Sequence, residues 1–347
     1  TNLAILEYLQ GDAARALEHM HDAGEVFSAI DHRRGEAMVR ANSANIRHAI
    51  LGDDVLAERE ASLARRYFAE IGDRRHEAQC LDVLAGVRRR KRAYAVSRRL
   101  AETALEILRE TGDHFLEVQA LRSLAWTERE AGHHDEARVA ISDAVSVATT
   151  YELDTELPTL LALEGWVLVA CGKHDEALAS AEQSSAMSDS LSEFREIGAW
   201  WRHKTFEALG MPAEAEQELR VAHESLAQTL VPFDEEDRSR ALTRVAEHRA
   251  ITEAYANRFP RTEQVELPVD RKGSDEMVSV EWTVHHPDDL CIPDKKDRRK
   301  RRLLRIMNEA ELAGAKPRLE DLAGALDASL STLKRDLSAL RNEGHLA

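Results

Sequence analysis

Cysteine is scarce and scattered. Cys80, Cys171 and Cys291 stand far apart and in no CxxC pair, which excludes a disulfide framework and a cysteine zinc site and leaves three reduced thiols as the expectation. Long uncharged runs are missing too. No stretch approaches the roughly 18 to 20 apolar residues of a membrane span, and the opening TNLAILEYLQGD has neither the basic region nor the cleavage site of a signal peptide. A cytosolic protein without a membrane partner is expected. Catalytic signatures are likewise absent: there is no GxSxG, no HExxH and no evident pair of carboxylates. GAWWRHKT (198–205) comes near a phosphate loop, but His203 replaces the second glycine, and in a helix the N–H groups are already engaged. His133, His134 and Asp135 are adjacent on a turn, where side chains rarely converge on one ion. Neither an enzyme nor a cofactor is expected.

What is present is ample apolar material, 43% of the chain, enough for more than one core in 347 residues. The net charge of -16 argues against a general coat for nucleic acid. That charge is uneven, however. Residues 294–347 hold 13 basic and 9 acidic residues, a balance of +4, whereas residues 1–293 hold 34 basic and 54 acidic, a balance of -20. Opposite charge in two parts of the chain suggests two jobs.

A turn followed five residues later by a small residue recurs at about 40-residue steps: GDAARA (11–16), GDDVLA (52–57), GHHDEA (132–137), GKHDEA (172–177) and GMPAEA (210–215), with Arg92 standing at the turn missing between 52 and 132. A second punctuation alternates with it, as IDHRRGEA (30–37), IGDRRHEA (71–78) and TGDHFLEV (111–118). Each period therefore holds two helices. Asp12, Asp53, Asp73 and Asp113 are placed to cap them, and Pro212 suits a first helical turn. Small residues recur in register: Ala85, Ala125 and Gly165, then Ala57, Ala137, Ala177 and Ala215, then Ala64, Ala104, Ala144 and Ala222, with Asn45 and its neighbour Ala44 as an imperfect match. This pattern resembles a tetratricopeptide array over about residues 3–230, closed by a helix at 236–259.

The resemblance implies that the first helix of each pair lines an inner groove. Trp126, Trp166 and Phe206, spaced 40 and 40, would then form an aromatic row, with Arg122 and Arg202 one turn earlier for a carboxylate or phosphate of a protein, peptide or small ligand. Interhelix packing is the competing reading of the same rings. The basic run RRRKR (88–92) reads as a solvated turn.

Residues 260–294 change character: QVELPV (264–269) and MVSVEWTV (277–284) alternate around DRKGSDE, a hairpin with Val278, Val280 and Trp282 on one face, followed by an irregular linker. From residue 295 on, three short helices are expected, with Leu303, Leu304, Met307 and Leu312, then Leu319, Leu322, Ala323 and Leu326, then Leu333, Leu337 and Leu340 turned inward. LEDLAGALDASLSTLKRDLSALRNEGHL resembles the winged helix-turn-helix of DeoR-type repressors, Leu322–Ala323 matching the LA pair and Arg335–Asp336–Leu337 the RDL segment. That resemblance implies double-stranded DNA as partner, with Ser331, Thr332, Lys334 and Arg335 toward bases and Ser329 and Lys316 near phosphates. The two strands of a wing would follow GHLA, where the sequence ends. The expected architecture is thus mainly α: a repeat domain (1–259), a hairpin linker (260–294) and a winged helix-turn-helix domain (295–347), acting as a transcription regulator and possible homodimer, or else as an adaptor or the sensor arm of a larger signalling ATPase.

Overall fold

A computed structural model describes residues 2–9, 12–187, 194–270, 276–343 and 345. The chain divides into two compact units, residues 1–252 and 253–347. The first is all helical: α1 (Asn2–Leu9), α2 (Ala13–Ala29), α3 (Arg33–Ile46), α4 (Asp54–Ile71), α5 (Arg74–Arg90), α6 (Tyr94–Thr111), α7 (His114–Ala131), α8 (His134–Thr150), α9 (Leu157–Ala170), α10 (His174–Met187), α11 (Arg195–Ala208), α12 (Pro212–Leu230) and α13 (Glu235–Arg244). α14 (Ala246–Arg258) runs across the division.

Consecutive helices pack antiparallel in pairs, and the recurring small residues explain why they can. Ala57, Ala137, Ala177, Ala85, Ala125, Ala104, Ala144 and Ala222 are wholly buried, so neighbouring backbones approach closely. At Gly165 a Cβ would stand 3.1 Å from the Ala177 carbonyl oxygen, which is why this position is glycine. Asp12, Asp53, Asp73 and Asp113 each accept an N–H from the third residue beyond, and Pro212 opens α12. Arg92 adopts φ 57°, the left-handed conformation that Gly132 holds at the same repeat position. Gly11 lies outside the described residues.

The imperfect register at Asn45 has a structural cause. α3 ends in a π-helical turn, Arg47–Leu51, whose wider loop absorbs one residue. Ala44, eight residues before Gly52 rather than seven, thereby takes the buried small position. The expected closing helix is broken: Val245 is extended (φ -80°, ψ 116°) between α13 and α14.

In the second unit β1 (Arg261–Pro268) and β2 (Met277–His285) pair antiparallel, Val265 opposite Val280 and Leu267 opposite Val278. Three helices follow: α15 (Lys295–Leu312), α16 (Leu319–Leu326) and α17 (Leu330–Asn342). Leu267, Val280, Trp282 and Val284 share one core with Leu303, Ile306, Ala310, Leu322, Leu326, Leu333 and Leu340. The hairpin is thus bound into the helical unit. Its DRKGSDE turn lies outside the described residues except Asp270 and Glu276. Arg305 holds Asp289 through two contacts of 2.8 and 2.7 Å and donates to the Thr283 carbonyl, while Glu309 accepts the Thr283 N–H at 2.7 Å. At the other end Val269 bridges Ala315, between α15 and α16. Leu312, expected inside, is 89% exposed. The buried stripe of α15 instead runs Leu303, Ile306, Ala310, at i, i+3 and i+7, and Leu312 falls on the far side of the helix.

No helix among the described residues is long and apolar enough to cross a membrane.

Candidate functional sites

Two surfaces gather the residues singled out above. The first is the outer face of α17. Asp327, in the left-handed conformation, ends α16, and Ser329 caps α17 by accepting the Thr332 N–H at 3.2 Å. Ser329, Ser331 and Thr332 join hydroxyls at 2.9 to 3.0 Å, and Arg335 reaches the Thr332 hydroxyl at 3.5 Å. Ser331, Lys334 and Arg335 are exposed, Thr332 half-buried. Ser338 and Arg341, at i+4 and i+7 from Lys334, and Asn342, at i+7 from Arg335, extend the same face at a spacing the sequence already contained. Lys316 is exposed on the α15–α16 connection, 3.6 Å from Asp270.

Charge on α17 is sorted by side. Its one acid, Asp336, is turned inward, 2% exposed, and receives the Arg299 guanidinium at 2.6 Å. The outer face is left with cations and neutral polar groups. Much of the basic start of α15, by contrast, is spent on the fold: Arg298 donates to the Ile292 carbonyl, Arg302 to the Val284 carbonyl and Lys300 to Glu343, while Lys295, Lys296 and Arg301 are exposed. Hydrogen bonding to Glu343 raises the Lys300 pKa, and the same contact lowers that of Glu343.

The second surface is the row of first helices in the array. Trp126 on α7 meets Trp201 on α11 edge-on, with ring centroids 4.8 Å apart, and Trp166 on α9 stacks against the same ring at 6.2 Å. First helices two repeats apart approach each other here, Trp201 being 2% exposed and Trp126 and Trp166 half-buried over it, on the side that corresponds to the inner surface of such an array. Arg89 lies 3.5 Å over the Trp126 ring and Arg129 lies 4.3 Å over Trp166. Both arginines precede their tryptophan by 37 residues, a signal legible in the sequence.

Phe206 does not join them. Trp126 and Trp166 stand six residues before their turn glycines, but Gly172 and Gly210 are only 38 apart, so a 40-residue step lands Phe206 four before its glycine. Two residues turn a helix by about 200°. Phe206 accordingly packs on the opposite side, with Ala181 and Ala215, and Trp201, five residues earlier, fills the row. Arg122 and Arg202 are also engaged within the fold, Arg122 with Glu156 at 2.8 Å and Arg202 with Glu218 at 2.8 Å, all four side chains buried. The run at 88–92 is not simply a solvated turn. Arg89 is 5% exposed and pairs with Glu130 at 2.7 Å and with Glu247 of α14 at 3.5 Å, and Arg90 holds Asp54 at 2.6 Å and the His48 carbonyl at 2.9 Å.

Around these pairs sits a buried polar network. Burial, assisted by Arg90, pushes His48 down to about 4. His248 falls to about 4 through burial, with Arg90 also opposing its charge. Burial drives the Glu130 carboxyl up, whereas for Glu247 the arginines Arg89 and Arg90 outweigh burial and hold it down. Gly86 makes room for the ring, since a Cβ there would stand 2.5 Å from His48 Nε2. Among the described residues no group of three or more His, Cys, Asp or Glu could hold a metal ion.

Residues 77–150 match the tetratricopeptide-repeat family. No curated protein matches the chain in sequence. Among solved structures, a Rap protein complexed with Competence and Sporulation Factor superposes with a TM-score of 0.56 at 16% identity, covering 73% of this chain and 74% of that one. The apo form of RapI superposes with a TM-score of 0.51 at 15% identity, over 72% of this chain and 96% of that one. The N-terminal unit is therefore a tetratricopeptide-type helical solenoid, as its repeats imply. At such identities the likeness extends to the fold alone.

Proposed function

We propose that the protein is a regulator whose solenoid takes up a protein, peptide or small ligand and whose α15–α17 unit binds double-stranded DNA as a helix-turn-helix. The observation that carries the DNA reading is the sorting of charge on α17. In a protein of net charge -16, one helix keeps its single carboxylate inside and presents Lys334, Arg335 and Arg341 outward among Ser331, Ser338 and Asn342. Such a face suits the phosphate-lined major groove, where Lys and Arg contact guanine edges and Ser contacts phosphate or base. The DeoR-type resemblance places its wing after the third helix; here a hairpin precedes the first helix and bridges to Ala315, so a sheet of different origin borders the unit. One unit offers few cations, and a homodimer on a two-fold operator would supply more contacts.

The solenoid half of the reading is supported by its likeness to a Rap protein solved with Competence and Sporulation Factor and by the inward tryptophan row. Occupancy of the array is proposed to alter DNA affinity.

The test is retention of duplexes from a random-sequence pool by the full chain, beside Lys334→Ala with Arg335→Ala. The expected result is a recurring motif held by the wild type, and a double variant weakened by about 1 to 3 kcal/mol for each side chain that reads a base. Absence of any retained duplex at low salt would turn the reading to a protein-binding adaptor.

A further inference from the structure

The array repeats a small constellation and completes it only once. In the first instance Arg89 covers the Trp126 ring and is neutralised by Glu130, 41 residues further on, and by Glu247. In the second, Arg129 covers the Trp166 ring in the same way, but the residue 41 further on is Ala170. Arg129 has no ion pair among the described residues; its Nε donates to the Trp166 carbonyl oxygen at 3.4 Å. Glu130, its neighbour in sequence, already serves Arg89. Burial lowers the pKa of Arg129, outweighing the opposing influence of Cys171 and Glu130. Arg129, Trp166, Trp126 and Ala170 are all half-buried, so the second constellation remains open to a ligand.

We propose that Arg129, over the face of Trp166, receives a carboxylate of the ligand held on the inner surface of the solenoid, at the place Glu130 supplies to Arg89 one repeat earlier. This rests on the reading that the array binds a ligand at all. A guanidinium stacked on an indole keeps its edge free for two parallel hydrogen bonds, the geometry a carboxylate matches. Ala170 has no group that could compete, and the half-buried Trp126, packed on the buried Trp201, provides apolar surface for whatever bears the acid.

Three pools of acetylated tetrapeptides, randomised over apolar residues, separate the sources of the acid: one with a free C-terminal carboxylate, one amidated with a single internal Glu, and one amidated and uncharged. Binding to the full chain is followed by tryptophan fluorescence and checked by calorimetry. The expected result is that one of the two acidic pools binds at least about tenfold tighter than the neutral pool, a difference of about 1.4 kcal/mol. Arg129→Gln should abolish that preference while Arg129→Lys keeps part of it, and Ala170→Glu should remove it where Ala170→Gln does not. Equal binding of acidic and neutral pools, or a preference unchanged in Arg129→Gln, overturns the assignment and leaves the ligand-binding reading standing. Failure of all three pools to bind overturns the assignment and, with it, the reading of the array as a receptor for short peptides.

Discussion

Asp336 shows how one buried carboxylate can decide what a surface is for. It lies under α17, 2% exposed, and its charge is balanced by Arg299, whose own side chain is largely covered. Removing one member of such a pair strands the other in a medium of low dielectric. Arg299→Ala should therefore destabilise the C-terminal unit by about 3 kcal/mol, and Arg299→Met with Asp336→Leu should recover most of the loss, as read from urea unfolding of the full chain. The pairing was not legible in sequence, where Asp336 stood as a neighbour for Arg335. Helical spacing does put the two on different faces, but only the fold brings a residue 37 positions away to meet the acid.

At the scale of elements, the hairpin and α14 carry more than their positions in the chain suggested. Trp282 on β2 is fully buried among Leu303, Ile306 and Leu333. Trp282→Ala should cost about 3 to 5 kcal/mol and expose α15–α17 to limited proteolysis while the solenoid helices stay protected. Alternation revealed that the strands exist, and it revealed which face is apolar; it could not say what that face would meet. α14 lends Glu247 and His248 to the network on α5 and α7. His48 and His248, with folded pKa values of about 4 against 6.5 when free, are neutral in the native state. Below pH 6.5 the unfolded chain takes up protons that the folded one refuses, so stability falls with pH down to about 4. Each ring contributes about 3 kcal/mol to that loss. Asp82, raised to about 6 by burial, acts in the opposite sense and offsets part of it. Denaturant titrations from pH 7 to 4 should show the decline, and His248→Leu should flatten it.

For the whole molecule, the division of charge sets the terms of any encounter with DNA. The -20 carried by residues 1–293 repels the polyanion, and only the C-terminal face attracts it. Affinity of the full chain should fall with salt along a shallow slope, near -0.9 for each phosphate neutralised, and Lys334→Ala should reduce that slope by about one. Measurement of duplex binding by anisotropy between 50 and 200 mM salt checks this. A salt-independent affinity would assign the binding to groups other than these cations.

Local chemistry and periodicity were enough, by themselves, to determine the helical pairs, their capping aspartates, the small residues at their crossings and, Leu312 apart, the leucine core of the last three helices, because each depends on neighbours a few residues away or on a repeat that copies them. Tertiary structure alone decided the rest. A one-residue π turn restored the register at Ala44, a two-residue shortening turned Phe206 to the opposite side and brought Trp201 into the row, and folding spent Arg122, Arg202 and most of the basic start of α15 on internal partners. The physical reason is the same in each case: a charge or a ring is free only if the fold supplies no partner for it, and that partner comes from a distant part of the chain.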